Sequence, residues 1–213
     1  RNPKSKRLGL TATPRRTDGI SLRGLFPDVV IDYPLHSLSG KPNAVEEGWA
    51  VGYNQKFVRV ESVDFRNIRE VAGDFDEAEL QQVLNTQEVL AKLVDPLLDM
   101  VGDRRTLIFN PGVEMAKAVA RYITAEVSRR ELLGETVAFG EAVSLDGSVP
   151  HDTRKEVYRR HQNSEFQFLS VCGLCREGYN DPGISCVAVF RPTKSKLLVE
   201  QFKGRGCRPL RGL

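Results

Sequence analysis

From residue 76 onward the chain alternates helical and strand patterning, and this restricts the fold more than any other feature of the sequence. Val83, Leu84, Val89, Leu90, Leu93, Val94, Leu97, Leu98 and Val101 recur at helical spacing, interrupted by Asp95-Pro96 and stopped by Gly102. TLIFN (106–110) follows as a short buried strand, and Val113, Ala116, Val119, Ala120 and Ile123 mark a helix over 113–127. Residues 136–139 suggest another strand and 152–161 a basic helix; FQFLSVC (166–172) and ISCVAVF (184–190) read as buried strands before a last helix over 195–203. Strands that alternate with helices form a parallel sheet covered on both faces, an α/β fold whose ligands gather beyond the carboxyl ends of the strands. The loops after Asn110, Cys172 and Phe190 are therefore the places to search.

The first seventy residues lack that rhythm. VVIDY (29–33) and KFVRVESV (56–63) read as strands, and the polar stretch DFRNIREVAGDFDEAEL contains Asp74 or Asp76 as a helix cap. This stretch is the expected domain boundary. The chain starts Arg1-Asn2-Pro3-Lys4 without an initiator Met and carries no signal peptide, which suggests a piece of a longer protein. No run approaches the roughly 18 apolar residues of a membrane span. With 31 Lys and Arg against 28 Asp and Glu, the charge is +3, so anion binding must be local rather than a basic coat. Four cysteines (Cys172, Cys175, Cys186, Cys207) in a chain this long do not form the disulfide frame of a small secreted domain, and a reducing cytoplasm is expected.

Several local motifs compete for chemistry. Cys172-Gly173-Leu174-Cys175 has redox or half-zinc spacing, but Cys186 and Cys207 lie 21 residues apart with no His near either, so no metal site is expected. Asp76-Glu77-Ala78-Glu79 spells something near a magnesium-binding acidic box, yet no hydrophobic strand precedes it and a solvated helix start accounts for it. No G-x-x-x-x-G-K-[ST] phosphate loop is present. The last forty residues carry more. Glu177-Gly178-Tyr179-Asn180-Asp181-Pro182 follows a buried strand. In Gln201-Phe202-Lys203-Gly204-Arg205-Gly206-Cys207-Arg208-Pro209, two arginines three apart can project toward one anionic point, where the planar guanidinium suits phosphate. Near the start, Gly9-Leu10-Thr11-Ala12-Thr13-Pro14 reads as a strand ending in two hydroxyls and a turn.

Taken in order, these stretches resemble the later motifs of superfamily 2 DEAD/DEAH-type DNA helicases, in particular the branch of restriction-enzyme motor subunits and repair helicases. Thr11-Ala12-Thr13-Pro14 looks like motif III, Arg105 through Asn110 like motif IV, Glu177 through Pro182 like motif V and Gln201 through Pro209 like motif VI; Arg191-Pro192-Thr193-Lys194-Ser195 is similar to a run common in that branch. The resemblance implies a tail of a first RecA-like domain with its connector over 1–72 and a second RecA-like domain over 73–213. It implies that Arg205 and Arg208 are arginine fingers for ATP with Mg2+, bound mainly by the first domain, with Gln201 beside them. Gly178, Asn180, Asp181 and Gly204 would line the nucleotide cleft, and Thr11, Thr13, Asn110, Gly112 and Gly147 would contact the backbone of DNA. Asn180 stands where that family usually has an acid, and Val171 and Cys172 replace the hydroxyl or asparagine that it usually has just before motif V. The implied function is the arginine-finger half of an ATP-dependent helicase or translocase, inactive alone, whose parent works with restriction or repair subunits. The alternatives are a catalytically inactive RecA-like module that binds nucleic acid or protein, and a thiol or zinc protein built on Cys172 and Cys175.

Overall fold

The computed structural model describes residues 26, 35, 40, 42–135, 141–175 and 179–210. The candidate strands at 8–13, 29–33 and 136–139 lie outside the described residues, as do Thr11, Thr13 and Gly178.

The described chain forms a hairpin and then an α/β unit. Two-residue strands β1 (Glu70–Val71) and β2 (Asp74–Phe75) pair antiparallel around Ala72 and Gly73, both at positive φ, the backbone of a tight two-residue hairpin turn. Helices α1 (Glu77–Leu84) and α2 (Gln87–Val101) lead into β3 (Thr106–Asn110). After α3 (Val113–Leu132) come β4 (Ala142–Asp146), α4 (His151–Gln162), β5 (Phe168–Cys172), β6 (Cys186–Val189) and α5 (Lys196–Gly206). The four later strands form one parallel sheet in the order β4-β5-β3-β6.

Side-chain parity along the strands divides the core. Ile108 and Phe168 face α1, α2 and α3, in a cluster with Leu80, Val94, Met115, Val119 and Ile123. Leu107, Phe109, Leu169 and Val171 face the opposite side, where Phe166, Tyr179 and Phe202 pack with residues of α4 and α5. The sheet is thus covered on both faces, as the alternation predicts.

Two local expectations fail. Residues 56–63 form no strand; Phe57 and Val58 are exposed, and no described strand lies alongside to complete a ladder. Pro96 does not interrupt α2, which runs through it. Burial of Val94, Leu97, Leu98 and Val101 offsets the roughly 3 kcal/mol a mid-helix proline costs. The break falls earlier, at Asn85 and Thr86, where the Thr86 hydroxyl accepts from Val89 N and starts α2 afresh. Of the two candidate helix caps, Asp76 serves: its carboxylate accepts from the backbone of Ala78 and Glu79 and also from Arg69. The acid-rich stretch is a helix start.

Gly112 opens α3 with no side chain of its own to cap it, and the cap comes from α1: Gln81 Oε1 accepts from Met115 N at 3.2 Å. A Cβ on Gly112 would sit 1.9 Å from that oxygen. Gly112→Ala is expected to lose this cap, about 1 kcal/mol in urea unfolding. Combined with Gln81→Ala it should cost little more than either change alone.

His161, in the last turn of α4, is fully buried against Phe166. Its Nε2 faces the carbonyl of Gln167 at 3.2 Å and so carries the proton of the neutral ring. Burial lowers its pKa from 6.5 to about 4, with Arg105 pushing the same way and the Asp181 carboxylate opposing; Tyr179 OH lies beside Nδ1. The unfolded chain therefore takes up the proton first. This group's contribution to stability is intact above pH 6.5 and is lost as pH falls through about 4, roughly 3 kcal/mol in all. Urea midpoints across that window should fall in the parent chain and fall less in His161→Gln.

Candidate functional site

The two arginines of the last helix meet at one atom. α5 leaves the carboxyl end of β6 after Ser195, whose hydroxyl accepts from Leu198 N, and descends along the α4 face of the sheet. Phe202 packs on Phe109, near the carboxyl end of β3, with ring centroids 4.3 Å apart. Gly206 lies against Val187, near the amino end of β6, where an added Cβ would stand 3.2 Å from Val187 Cγ2. Glycine there lets the helix end approach the sheet, whereas Gly204 faces open space. Arg205, buried in the last turn, donates through Nη1 to the carbonyl oxygen of Tyr179 at 2.7 Å, and Arg208 donates to the same oxygen at 2.8 Å. Three residues of spacing around a helix end bring both guanidinium groups together, as their sequence placement suggests. Gln201 is half-buried one turn earlier.

Tyr179 is itself fixed from behind. Its ring packs on Tyr158 at 4.5 Å, and its hydroxyl donates to Asp181 Oδ2 at 3.2 Å. Asp181 Oδ1 accepts from Arg105 Nη2 at 2.6 Å and from Gly183 N at 2.9 Å. Arg105, one residue before β3, also donates to the carbonyls of His161 and Gln162. Its guanidinium passes so close to Gly183 that a Cβ there would be 1.6 Å from Nη2. Asp181 is 2% exposed, so its carboxylate points into the protein rather than toward a nucleotide; the physical reason is the buried cation beside it. Asn180 is exposed, and its carbonyl accepts from Gln162 Nε2.

The rim at the carboxyl ends of the strands is a separate surface. Gly112 after β3 and Gly147 after β4 lie there, with Gly147 exposed and its carbonyl accepting from Arg154. Asn110, the other expected rim residue, is 2% exposed. Parity places it with Thr106 and Ile108 on the α3 side, where its amide nitrogen donates to Ser170 Oγ at 2.9 Å and Ser170 donates to the Ala116 carbonyl. A side-chain contact to nucleic acid from Asn110 has no outlet in this geometry. On α4, Arg159 pairs with Glu156 and Glu165, and Arg160 with Glu165 and Glu141, so half of the basic helix is neutralised by its own neighbours.

The loop from β6 to α5 is anchored to the hairpin by a residue whose role the sequence did not disclose. Asp74 accepts from Thr193 Oγ1 at 2.6 Å, from Lys194 N at 2.8 Å and from Arg191 Nη2 at 3.4 Å, and Arg191 also pairs with Glu77 at 2.8 Å. The available signal was Ala72-Gly73, a two-residue turn that presents Asp74 at its edge. Cys175 is buried with Sγ 3.6 Å from Tyr158 OH; burial pushes its thiol up to about 11 and also raises Cys186 and Cys207, the wrong direction for thiolate chemistry. No helix among the described residues is long and apolar enough to cross a membrane.

Comparison with known proteins agrees with the fold. The chain is 26% identical over 204 residues to the IRC3 protein of Saccharomyces cerevisiae, named as an ATP-dependent helicase, with 94% of this chain and 27% of that protein aligned. It is 23% identical over 206 residues to a 51.5 kDa protein of a Lactococcus phage, covering 95% of this chain and 40% of the phage protein. The chain thus spans well under half the length of these relatives. The family model described as the helicase conserved C-terminal domain matches residues 86–209, more than half of the 213-residue sequence. With its four-stranded parallel sheet covered by helices on both faces, the chain belongs to the helicase C-terminal domain family and has that family's RecA-like α/β fold.

Proposed function

We propose that this chain is the motif III-to-VI portion of an ATP-dependent superfamily 2 DNA helicase or translocase of the restriction-motor or repair branch. In this reading residues 73–213 are its second RecA-like domain and residues 1–72 carry the tail of the first. The observation that carries the reading is the convergence of Arg205 and Arg208 on a single oxygen at the flank of the sheet. Two guanidinium groups held side by side form a donor set that fits the oxygens of one phosphoryl group. Bound ATP with Mg2+, held mainly by the first domain, supplies the reactive phosphoanhydride. The arginines bind and orient its terminal phosphate and stabilise the charge that grows on it, a contribution of about 10³ to 10⁵ in rate for such residues. Gln201 stands beside them, and Gly178, Asn180 and Gly204 line the cleft.

DNA is read as lying along the rim, held at its phosphates by backbone near Gly112 and Gly147 and by Thr11 and Thr13, contacts that carry no sequence information. Flank and rim are different surfaces, so hydrolysis and strand contact are separable by mutation. In the full-length protein, Arg208→Ala is expected to lower DNA-stimulated ATP turnover by about 10³-fold while DNA affinity stays within about twofold. Equal loss of both would make the arginines a DNA-binding patch. Residues 1–213 contain no G-x-x-x-x-G-K-[ST] loop, so this stretch alone is expected to hydrolyse no ATP in a phosphate-release assay, and DNA-stimulated release by it would sink the reading.

A further inference from the structure

The described residues between β5 and β6 form no helix or strand, so no ladder orients the Tyr179 carbonyl. Side-chain anchors do it instead. The ring is stacked on Tyr158, the hydroxyl donates to Asp181 beside His161, and Asp181 is pinned by Arg105 and by Gly183 N. With the side chain of Tyr179 held at ring face and hydroxyl, and Asp181 pinned two residues on, the peptide between Tyr179 and Asn180 is tethered from both sides. On the other side of that peptide, one oxygen receives both arginines. Like charges do not gather unaided: two guanidinium groups so close repel one another, and the shared acceptor offsets that repulsion.

We propose that Tyr179 is the positioning residue for Arg205 and Arg208: its carbonyl oxygen holds the two guanidinium groups side by side, and its side chain, locked by Asp181 and Tyr158, fixes where that oxygen sits. This rests on the reading of the arginines given above and adds to it a defined chain of contacts, from Arg105 at the start of β3 through Asp181 and Tyr179 to the phosphate-facing groups. The carbonyl touches no substrate. Its part is to set the spacing and direction of the two donors before a phosphate arrives, so that little reorganisation is needed when charge develops.

The test uses Tyr179→Phe in the full-length protein, which keeps the ring on Tyr158 and removes only the hydroxyl bonds. At saturating DNA, kcat for ATP is expected to fall about tenfold, with KM for ATP and DNA affinity within about twofold. Affinity for ADP with aluminium fluoride, a mimic of the transferring phosphate, should fall with kcat while affinity for ADP alone holds. In an Arg208→Lys background the further loss from Tyr179→Phe should shrink to about twofold or less, because both changes act on the same donors. Unchanged kcat, or penalties that multiply in the double variant, would overturn the proposal. Asp181→Glu, which keeps the charge paired to Arg105 but moves the carboxylate, gives the same readout if the phenylalanine variant does not fold. Arg208→Ala separates the two ideas: full turnover there would remove the arginine reading itself, whereas collapse there beside an unaffected Tyr179→Phe removes only the positioning role.

Discussion

The ion pair between Arg105 and Asp181 is the contact on which the arrangement of the site depends. The two side chains are 12% and 2% exposed, and a buried pair of this kind is costly to break from one side, by about 3 to 5 kcal/mol, because the survivor is left charged and unpaired. Its value here is topological. Arg105 stands at the entry to the central strand, bonds the carbonyls that end α4, and through Asp181 holds the segment that crosses from β5 to β6. The backbone closes the same junction, since Ser185 N and Cys186 N both donate to the Arg105 carbonyl. Strand, helix end and crossover are fastened at one point, and Gly183 is the residue that lets the guanidinium through.

From that point a second fastening can be followed to the opposite edge. Asp74 in the β1–β2 hairpin gathers Arg191, Thr193 and Lys194, which fixes the loop that launches α5. α5 is therefore held at its start by Asp74, along its length by Phe202 on Phe109, and at its end by the Tyr179 carbonyl. The segment before the hairpin touches the same end, where Val51 N donates to the Cys207 carbonyl at 2.9 Å and Lys203 lies 5.3 Å from the Tyr53 ring. Movement of either neighbour relative to the sheet would be felt at Arg208.

Much of this was legible from residue order because a parallel sheet writes itself in short apolar runs. TLIFN, FLSVC and CVAV each became a strand, and the three-residue spacing of Arg205 and Arg208 placed both on one point. What was not legible had a common cause: it depended on partners distant in sequence. Pro96 looks like an interruption until the burial of Leu97, Leu98 and Val101 is counted. Ala142–Asp146 alternates too weakly to announce a strand until it lies along β5. Asn110 reads as a rim residue because it ends a strand, but parity turns it beneath α3. Asp181 reads as an acid facing a ligand, and only the proximity of Arg105, 76 residues earlier, turns it inward.

The last of these bears on how the neighbouring departure at Asn180 should be understood. Of these two consecutive positions in the crossover, the residue with the carboxylate is the buried one and the exposed one is neutral. An acid at 180 would face outward beside the residue whose carbonyl receives two arginines, where it would compete for a guanidinium with about the strength of a partly exposed ion pair, up to about 1 kcal/mol. Asparagine keeps the hydrogen-bonding shape without that competition. On the role proposed for Arg205 and Arg208, a neutral residue at 180 leaves the two guanidinium groups without a competing surface acid, while the only carboxylate of the segment 179–185 serves the interior.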